Sequence, residues 1–382
     1  MNYAAFFRII LMLAALPFII AGCGGSSSGG SSNGDSDSDG GTGDTGASDP
    51  VTTTVTSSLG AMNNTIIVAL KADALTMNGD APAPESVFLD AAVTDVQGRS
   101  APLDMGDYQG PVLYVALVDG ASSYFDEAAN GQTSYPDSVF YPDSVFYPDS
   151  VFYPDSVFHP DSVFYPDSVF LPDTLLSEDR RGMDQAPVLR SLAPEPGGEV
   201  ALTPLTTLAV QGAEQLDLYP LDANDVNTLN NQIRDALAPE LDSILTPPTP
   251  FTVDTTSGSL GDSSGDQYAL RLAAMADLAN TSAWPGLVAT VHMVGDLEDG
   301  VFNGNYPLGN TVSSYNNLPQ ELANALQNRA LDFGSPTLQT AVAEYPPLQT
   351  DPFSEPENGS GDGSGNCDTE PDLGTSQGVA AC

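Results

Sequence analysis

Gly261-Asp262-Ser263-Ser264-Gly265 satisfies the G-x-S-x-G pattern of a serine-hydrolase nucleophile turn. The chemistry that pattern serves is acyl transfer. A serine sits on a strained strand-to-helix turn, a histidine takes its proton, and an acid orients the histidine. His292 is the available base outside the hexapeptide repeat, and Val291 and Met293 flank it in a stretch of helical period. A Gly/Ser/Thr-rich run precedes Ser263, so no apolar strand presents the hydroxyl. The same pattern recurs as Gly25-Ser26-Ser27-Ser28-Gly29 in low-complexity sequence, which shows how cheaply it arises. A secreted hydrolase using Ser263 and His292 is therefore the second reading; a non-enzymatic protein is the first.

Two further groups of residues could bind ions or close a covalent loop. Asp296, Glu298, Asp299 and Asn303, punctuated by Gly300 and Gly304, make an oxygen-rich turn of the kind that holds Ca²⁺. The same residues also fit an ordinary helix-ending loop, with Gly at positive φ and Asp as cap. Calcium is the one cofactor candidate; otherwise none is expected. Cys367 and Cys382 could pair in an oxidising compartment, and with two histidines in the chain a His/Cys zinc site is not expected.

The clearest feature is a tandem repeat of six residues. Full copies of (Tyr/His)-Pro-Asp-Ser-Val-Phe begin at Tyr135, Tyr141, Tyr147, Tyr153, His159 and Tyr165, and a decayed copy ends at Leu176. Pro-Asp-Ser is a turn signal and Val-Phe-Tyr favours extended backbone, so the unit reads as turn, short strand, turn. Proline at every sixth position removes a ladder donor, which argues against a central sheet strand. An exposed arm, a compact spiral on the body and a short β-solenoid are the alternatives. In a solenoid the Asp of successive coils would stack at about 4.8 Å with no cation among them. Tyr135, Tyr141, Tyr147, Tyr153, Tyr165, Phe140, Phe146 and Phe152 are the candidate partner-binding side chains, because aromatic rings supply contact area and repeated weak sites gain by avidity. Slippage that lengthened a tolerated loop is the plain alternative, and it would make the protein a passive structural one.

Address and charge set the context. MNYAAFFR supplies a short n-region with Arg8, and Ile9 to Ile20 is an apolar run too short to span a bilayer. It leads into Ile20-Ala21-Gly22-Cys23, which resembles a bacterial lipobox; the resemblance implies cleavage before Cys23 and lipid on its thiol. Gly24 after the cysteine implies sorting to the outer membrane. Acyl chains contribute about 0.8 kcal/mol per buried CH₂, enough to anchor the body to the membrane when several are present. The formal charge is −42 and Lys71 is the sole lysine, which argues against nucleic-acid partners. A protein or glycan at the cell surface is the expected partner.

The elements that would carry these groups change character along the chain. Gly24 to Pro50 reads as a flexible tether. From Val51 to about Thr206 the signals are strand-like: Thr65–Leu70, Val87–Val96 with a turn at Gln97-Gly98, Pro111–Val118, Val188–Leu192 and Glu199–Leu202. These predict a small antiparallel β-sandwich with the repeat inserted between two strands. Pro84-Glu85-Ser86-Val87-Phe88-Leu89 echoes the repeat unit. Beyond Thr206 the period becomes helical. Val226, Leu229, Ile233 and Leu237 make one face, opened by Asn224 or Asp225 and stopped by Pro239. Further stripes run through Tyr268–Leu278, through Val288, Val291 and Val294 after Pro285, and through Leu318, Leu322, Leu326 and Ala330. The expected class is α+β, divided as signal peptide (1–22), tether (23–50), β-sandwich-like domain (51–206) with the repeat (135–176) inside it, helical domain (207–346) and disordered tail (347–382).

Several short motifs resemble bacterial surface proteins in which a transthyretin-like or carboxypeptidase-regulatory-like β-domain runs into a helical segment. They are Gly110-Pro111-Val112-Leu113-Tyr114-Val115, Tyr124-Phe125-Asp126-Glu127-Ala128, Leu202-Thr203-Pro204-Leu205-Thr206-Thr207-Leu208-Ala209, the Tyr268–Met275 run and Asp299-Gly300-Val301-Phe302-Asn303-Gly304. The resemblance spans about residues 60 to 310 and implies attachment or interaction at the envelope. The hexapeptide insertion departs from that pattern.

Overall fold

Isoleucine, valine and leucine in unbroken succession need apolar surroundings on both faces of a strand, and the run at Thr65–Leu70 finds them. A computed structural model of the chain describes residues 50–75, 84–128, 131–134, 186–280, 285–297, 300–302, 305–308, 311–314 and 317–353. The segments expected as signal peptide and tether (apart from Pro50), the repeat and residues 354–382 of the expected tail lie outside the described residues.

In chain order the strands of the first half are β1 (Thr52–Ser57), β2 (Met62–Asn63), β3 (Ile66–Lys71), β4 (Phe88–Val93), β5 (Leu103–Asp104) and β6 (Val112–Val118). A helical turn, α1 (Pro84–Val87), leads into β4. Then come β7 (Ser123–Asp126), β8 (Gly131–Ser134), β9 (Ala186–Ala193) and β10 (Gly198–Leu202). The repeat therefore lies in the chain between β8 and β9. Helices follow: α2 (Pro204–Gln215), α3 (Ala223–Leu237), α4 (Ser264–Asp277), α5 (Pro285–Asp296), α6 (Leu318–Phe333) and α7 (Pro336–Val342), with the hairpin β11 (Asn305–Leu308) and β12 (Thr311–Ser314) between α5 and α6. The fold is α+β, as the sequence predicts.

The central sheet has the order β4-β3-β6-β9, and all its pairings are antiparallel. Its side chains sort by the two-residue period of a strand. Ile66, Val68 and Leu70 of β3, with Leu113, Val115 and Leu117 of β6, join the helices in one apolar cluster. Ile67, Ala69, Val112, Tyr114, Ala116 and Val118 join Val55, Leu103, Val200 and Leu202 of the neighbouring sheet in a second. Each such buried aliphatic side chain contributes about 1.5–3 kcal/mol before entropy is subtracted. Strand and helix segments thus share the first cluster, which takes in Leu205 and Leu208 of α2, Val226, Leu229 and Ile233 of α3, Leu272 of α4, and Leu318 and Leu322 of α6.

One strand pairing corrects the antiparallel expectation. The neighbouring sheet has the order β10-β1-β5, and β10 runs parallel to β1, Val55 facing Val200. The chain leaves β9 in the central sheet and crosses through Pro194–Gly197 to the other sheet, so β10 enters beside β1 in the same direction. Apolar alternation marks a strand as half-buried but carries no information about its partner's direction.

Two of the sequence motifs, Leu202–Ala209 and Tyr268–Met275, hold tie points of this body. Thr203 caps α2 in a capping box with Thr206. Tyr268 Oη donates to the Ile244 carbonyl at 3.0 Å, so at 2.6 Å the Thr203 hydroxyl is the donor to Tyr268 Oη. Thr206 Oγ1 donates to the Arg190 carbonyl at 2.8 Å, and Thr207 Oγ1 accepts from Arg190 N at 2.9 Å, stitching α2 to β9. Arg190, itself buried, ion-pairs with Glu214 at the far end of α2.

Several boundaries shift for local reasons. Asp222, not Asn224 or Asp225, caps α3: its carboxylate accepts from Asn224 N and Asp225 N at 2.7 and 3.0 Å. The expected turn at Gln97-Gly98 is present with Gly98 at φ 78°, and a Cβ there would lie 2.3 Å from the Ser57 carbonyl oxygen, so only glycine fits. The chain beyond Pro347 stays on the body for several more residues. Gln349 N donates to the Ala236 carbonyl at 2.9 Å, and the Phe353 ring lies where a Cβ on Gly212 would be. The echo copy of the repeat unit is a helical turn that passes into β4, with Val87 in the core.

Candidate functional site

Lys71 is the last residue of β3, and the tight turn after it, Ala72–Ala74, carries Asp73. The strand ends here at the margin of the sheet, so an aliphatic stem can leave the core while its ammonium reaches solvent. Opposite, the chain turns sharply after β5. Asp104 Oδ1 accepts from Gly106 N at 2.9 Å, Gly106 has φ 56°, and Tyr108 N donates back to the Met105 carbonyl at 3.1 Å. The turn is bolted to β4 because Asp90 Oδ2 accepts from Asp104 N at 2.7 Å while Oδ1 accepts from Ala91 N at 2.8 Å.

These segments enclose an open cleft of about 550 Å³ lined by Lys71, Phe88, Leu89, Asp90, Asp104, Met105, Gly106, Asp107 and Tyr108. Tyr108 is held in one orientation. Its hydroxyl is 2.6 Å from Asp73 Oδ1 and 2.8 Å from the Pro111 carbonyl, and its one proton is shared between these acceptors. Burial, then the hydrogen bond and charge of Asp73, push the phenol well above its ordinary range, so it stays neutral. Lys71 Nζ lies 5.8 Å from the centre of the Tyr108 ring, within cation–π range. Half of the wall is apolar (Phe88, Leu89, Met105) and the other half presents carboxylates and one ammonium. Such a surface can hold a ligand by ring contact and by directed hydrogen bonds. The signal for it was in the sequence as the sole lysine of a strongly acidic chain, but no spacing pattern joins residues 71, 90 and 107.

The residues singled out from sequence fall elsewhere. Ser263 is the N-cap of α4, and its Oγ accepts from Asp266 N at 3.2 Å on an exposed turn. His292 lies inside α5, buried, and desolvation lowers its pKa from 6.5 to about 4. Of the oxygen-rich turn, Asp296 is buried at the end of α5 and Gly300 has the positive φ expected of it, 83°. Glu298, Asp299 and Asn303 lie outside the described residues, as do Cys23, Cys367, Cys382 and all the repeat aromatics. Among the described residues no group of three or more His, Cys, Asp or Glu side chains could hold a metal ion, and no helix is long and apolar enough to cross a membrane. Comparison with protein-family models, with curated proteins and with solved structures finds no match in any of the three.

A second polar feature is buried rather than open, and it falls in the Tyr124–Ala128 motif. Asp126 ends β7 and Glu127 follows it, both buried inside the body. Asp126 serves the fold. Its Oδ2 accepts from Tyr124 Oη at 3.0 Å and from Gly286 N at 3.1 Å, and its Oδ1 accepts from Ala128 N at 3.0 Å. A carboxylate from a distant strand thus serves the orphan N–H groups opening α5. Among the described residues neither Glu127 oxygen has a hydrogen-bond partner of normal geometry, although the Gly60 N–H faces the group. Burial first, and the Asp126 charge second, raise its pKa well above the ordinary carboxylate value, against weaker pulls from Gly60 and Arg329. The folded state therefore favours the protonated carboxyl more than the unfolded chain does. A raised folded-state pKa means that the stability from Glu127 is complete below pH ~4.3 and is lost as pH rises toward the folded value. Glu127→Gln, which cannot ionise, is expected to raise the melting temperature at pH 7 and to change it little at pH 4. Equal melting shifts at the two pH values would show that Glu127 ionises alike in the folded and unfolded chain.

Proposed function

We propose that this chain is a lipid-anchored, non-enzymatic binding protein of the bacterial outer membrane. It holds an α+β body off the bilayer on a Gly/Ser/Asp-rich tether and meets its partner through the Lys71–Tyr108 cleft, with the PDSVF repeat as an additional contact arm. The observation that carries the binding role is the cleft itself: an aromatic ring locked by two acceptors, beside one ammonium and several carboxylates. Among the described residues neither serine, cysteine nor histidine lines it, and each Asp90 oxygen already accepts from a backbone N–H. Ser263 supports the same reading, since its hydroxyl caps a helix. The two sheets that face each other across Val55, Tyr114 and Val200 are read as the leaves of the sandwich, and the resemblance to surface proteins with a β-domain then covers the body.

The anchor is Cys23, placed by charge, apolar run and small residues in the order of a lipobox. Membrane fractionation of cells expressing the wild type and Cys23→Ala tests it. The wild type is expected in the membrane pellet with lipid mass on residue 23, and the variant in the soluble extracytoplasmic fraction. Identical fractionation of the two would remove the anchor. Deleting Tyr135–Phe170 should reduce partner capture by intact cells, and unchanged capture would remove the arm.

A further inference from the structure

We propose that the Lys71–Tyr108 cleft is a subsite for a neutral saccharide, its hydroxyls bridging the Lys71 ammonium and the Asp104 and Asp107 carboxylates and its ring lying against the aromatic wall. The inference rests on reading the chain as a binding protein, and names the ligand class for that cleft. Three properties of the cleft select this class. First, its polar groups are of both kinds. A sugar hydroxyl donates one hydrogen bond and accepts others, so a vicinal pair satisfies a carboxylate and an ammonium at once, which a pure donor or a pure acceptor cannot do. Asp104 uses one oxygen on Gly106 N, and Asp107 is exposed, so acceptors face solvent where a hydroxyl can reach them.

Second, net charge disfavours the alternatives. A chain of formal charge −42 repels an anion over the whole approach. A cation is drawn toward the carboxylates, but the aromatic face it would seek is already the neighbour of Lys71 Nζ, whose like charge opposes it. A neutral polyol meets neither obstacle. Third, the cleft is built before any ligand arrives. Tyr108 is fixed by Asp73 and Pro111, and the Asp90–Asp104 bond fixes the turn, so little conformational entropy is left to lose on binding. At about 550 Å³ it falls within the volume range of small-ligand sites.

Lys71 also makes the test direct, because it is the only lysine of the chain. The full chain in detergent is acetylated with a water-soluble amine-reactive ester, and the modification at Lys71 is followed by mass spectrometry. Probes are maltose, cellobiose, lactose and mannobiose, with glucuronate, choline and inorganic phosphate as the charged arms. At a concentration ten times its dissociation constant a bound disaccharide is expected to slow Lys71 acetylation about tenfold. Asp107→Asn is expected to abolish that protection with no change in melting temperature, and Lys71→Met to abolish binding on an array of immobilised neutral glycans.

Protection by no neutral sugar of the panel overturns the proposal. So does protection by glucuronate or phosphate equal to that of the best disaccharide, which makes the cleft an anion site. Equal protection by choline would do the same and make it a cation site. Any of these results leaves the membrane anchoring through Cys23 standing, since that is read by fractionation; loss of anchoring would equally leave the acetylation result standing.

Discussion

Glu240→Ala is expected to lower the unfolding free energy by about 3–5 kcal/mol, the usual cost of leaving one partner of a buried ion pair without the other. The partner is Arg271, in the middle of α4, and both side chains are almost wholly enclosed. Arg271 Nε donates to Glu240 Oε1 at 2.9 Å and Nη2 donates to Oε2 at 2.8 Å, a two-pronged pairing that fixes the loop after α3 against α4. Removing the carboxylate strands a guanidinium in apolar surroundings, and among the described residues its Nη1 has no hydrogen-bond partner even in the intact pair. Urea unfolding at pH 7 is the measurement. The midpoint should fall with the slope unchanged, and a loss under about 1 kcal/mol would mean that water reaches the site in the variant. The double change Arg271→Met, Glu240→Leu should recover most of the loss, because replacing both charges removes the desolvation cost as well as the attraction.

Acid should weaken the fold through His292. Burial lowers its pKa from 6.5 to about 4, so the folded state resists a proton that the unfolded chain accepts readily. A depressed folded-state pKa contributes stability that is complete above the unfolded value and is lost as pH falls. The window here is pH 6.5 down to about 4. The full effect is about 3 kcal/mol, taking 1.36 kcal/mol for each pH unit between the two values. His292→Gln should therefore flatten the acid limb of a stability-against-pH curve while leaving the neutral region nearly level. Parallel curves for the wild type and the variant between pH 7 and 4 would show that His292 is not the group responsible. Glu127 acts in the opposite sense, losing its contribution as pH rises, so the two buried groups offset each other across the mildly acidic range and each is read from its own variant against the wild type.

The helices were the most legible part of the chain. Their buried stripes (Val226, Leu229 and Ile233; Leu318, Leu322 and Leu326) repeat at the helical period because one face of each packs on the central sheet or its neighbours. Helix α2 is not legible in that way because almost all of its residues are buried, which erases the periodicity; its usable signal was Thr203 as cap followed by Pro204 at the first position. The hairpin β11–β12 was missed although Gly309-Asn310 separates its strands by the two residues that favour a tight turn. The cleft could not be read at all, since Lys71, Asp90, Asp104 and Tyr108 come from three separate stretches of chain.

By itself the sequence determined the character of each segment: an apolar run ending in a lipobox-like cysteine, an acidic low-complexity stretch, strands, a hexapeptide repeat and then amphipathic helices. Those are local matters, decided by composition and by the period with which apolar side chains recur. Only the tertiary structure decided that β10 lies parallel to β1, that Asp126 caps a helix it is far from in the chain, and that the single lysine meets a tyrosine at the rim of a cleft. Each of these depends on which surfaces become neighbours once the sheet is covered on both faces, and strand period, caps and charge counts carry no record of that choice.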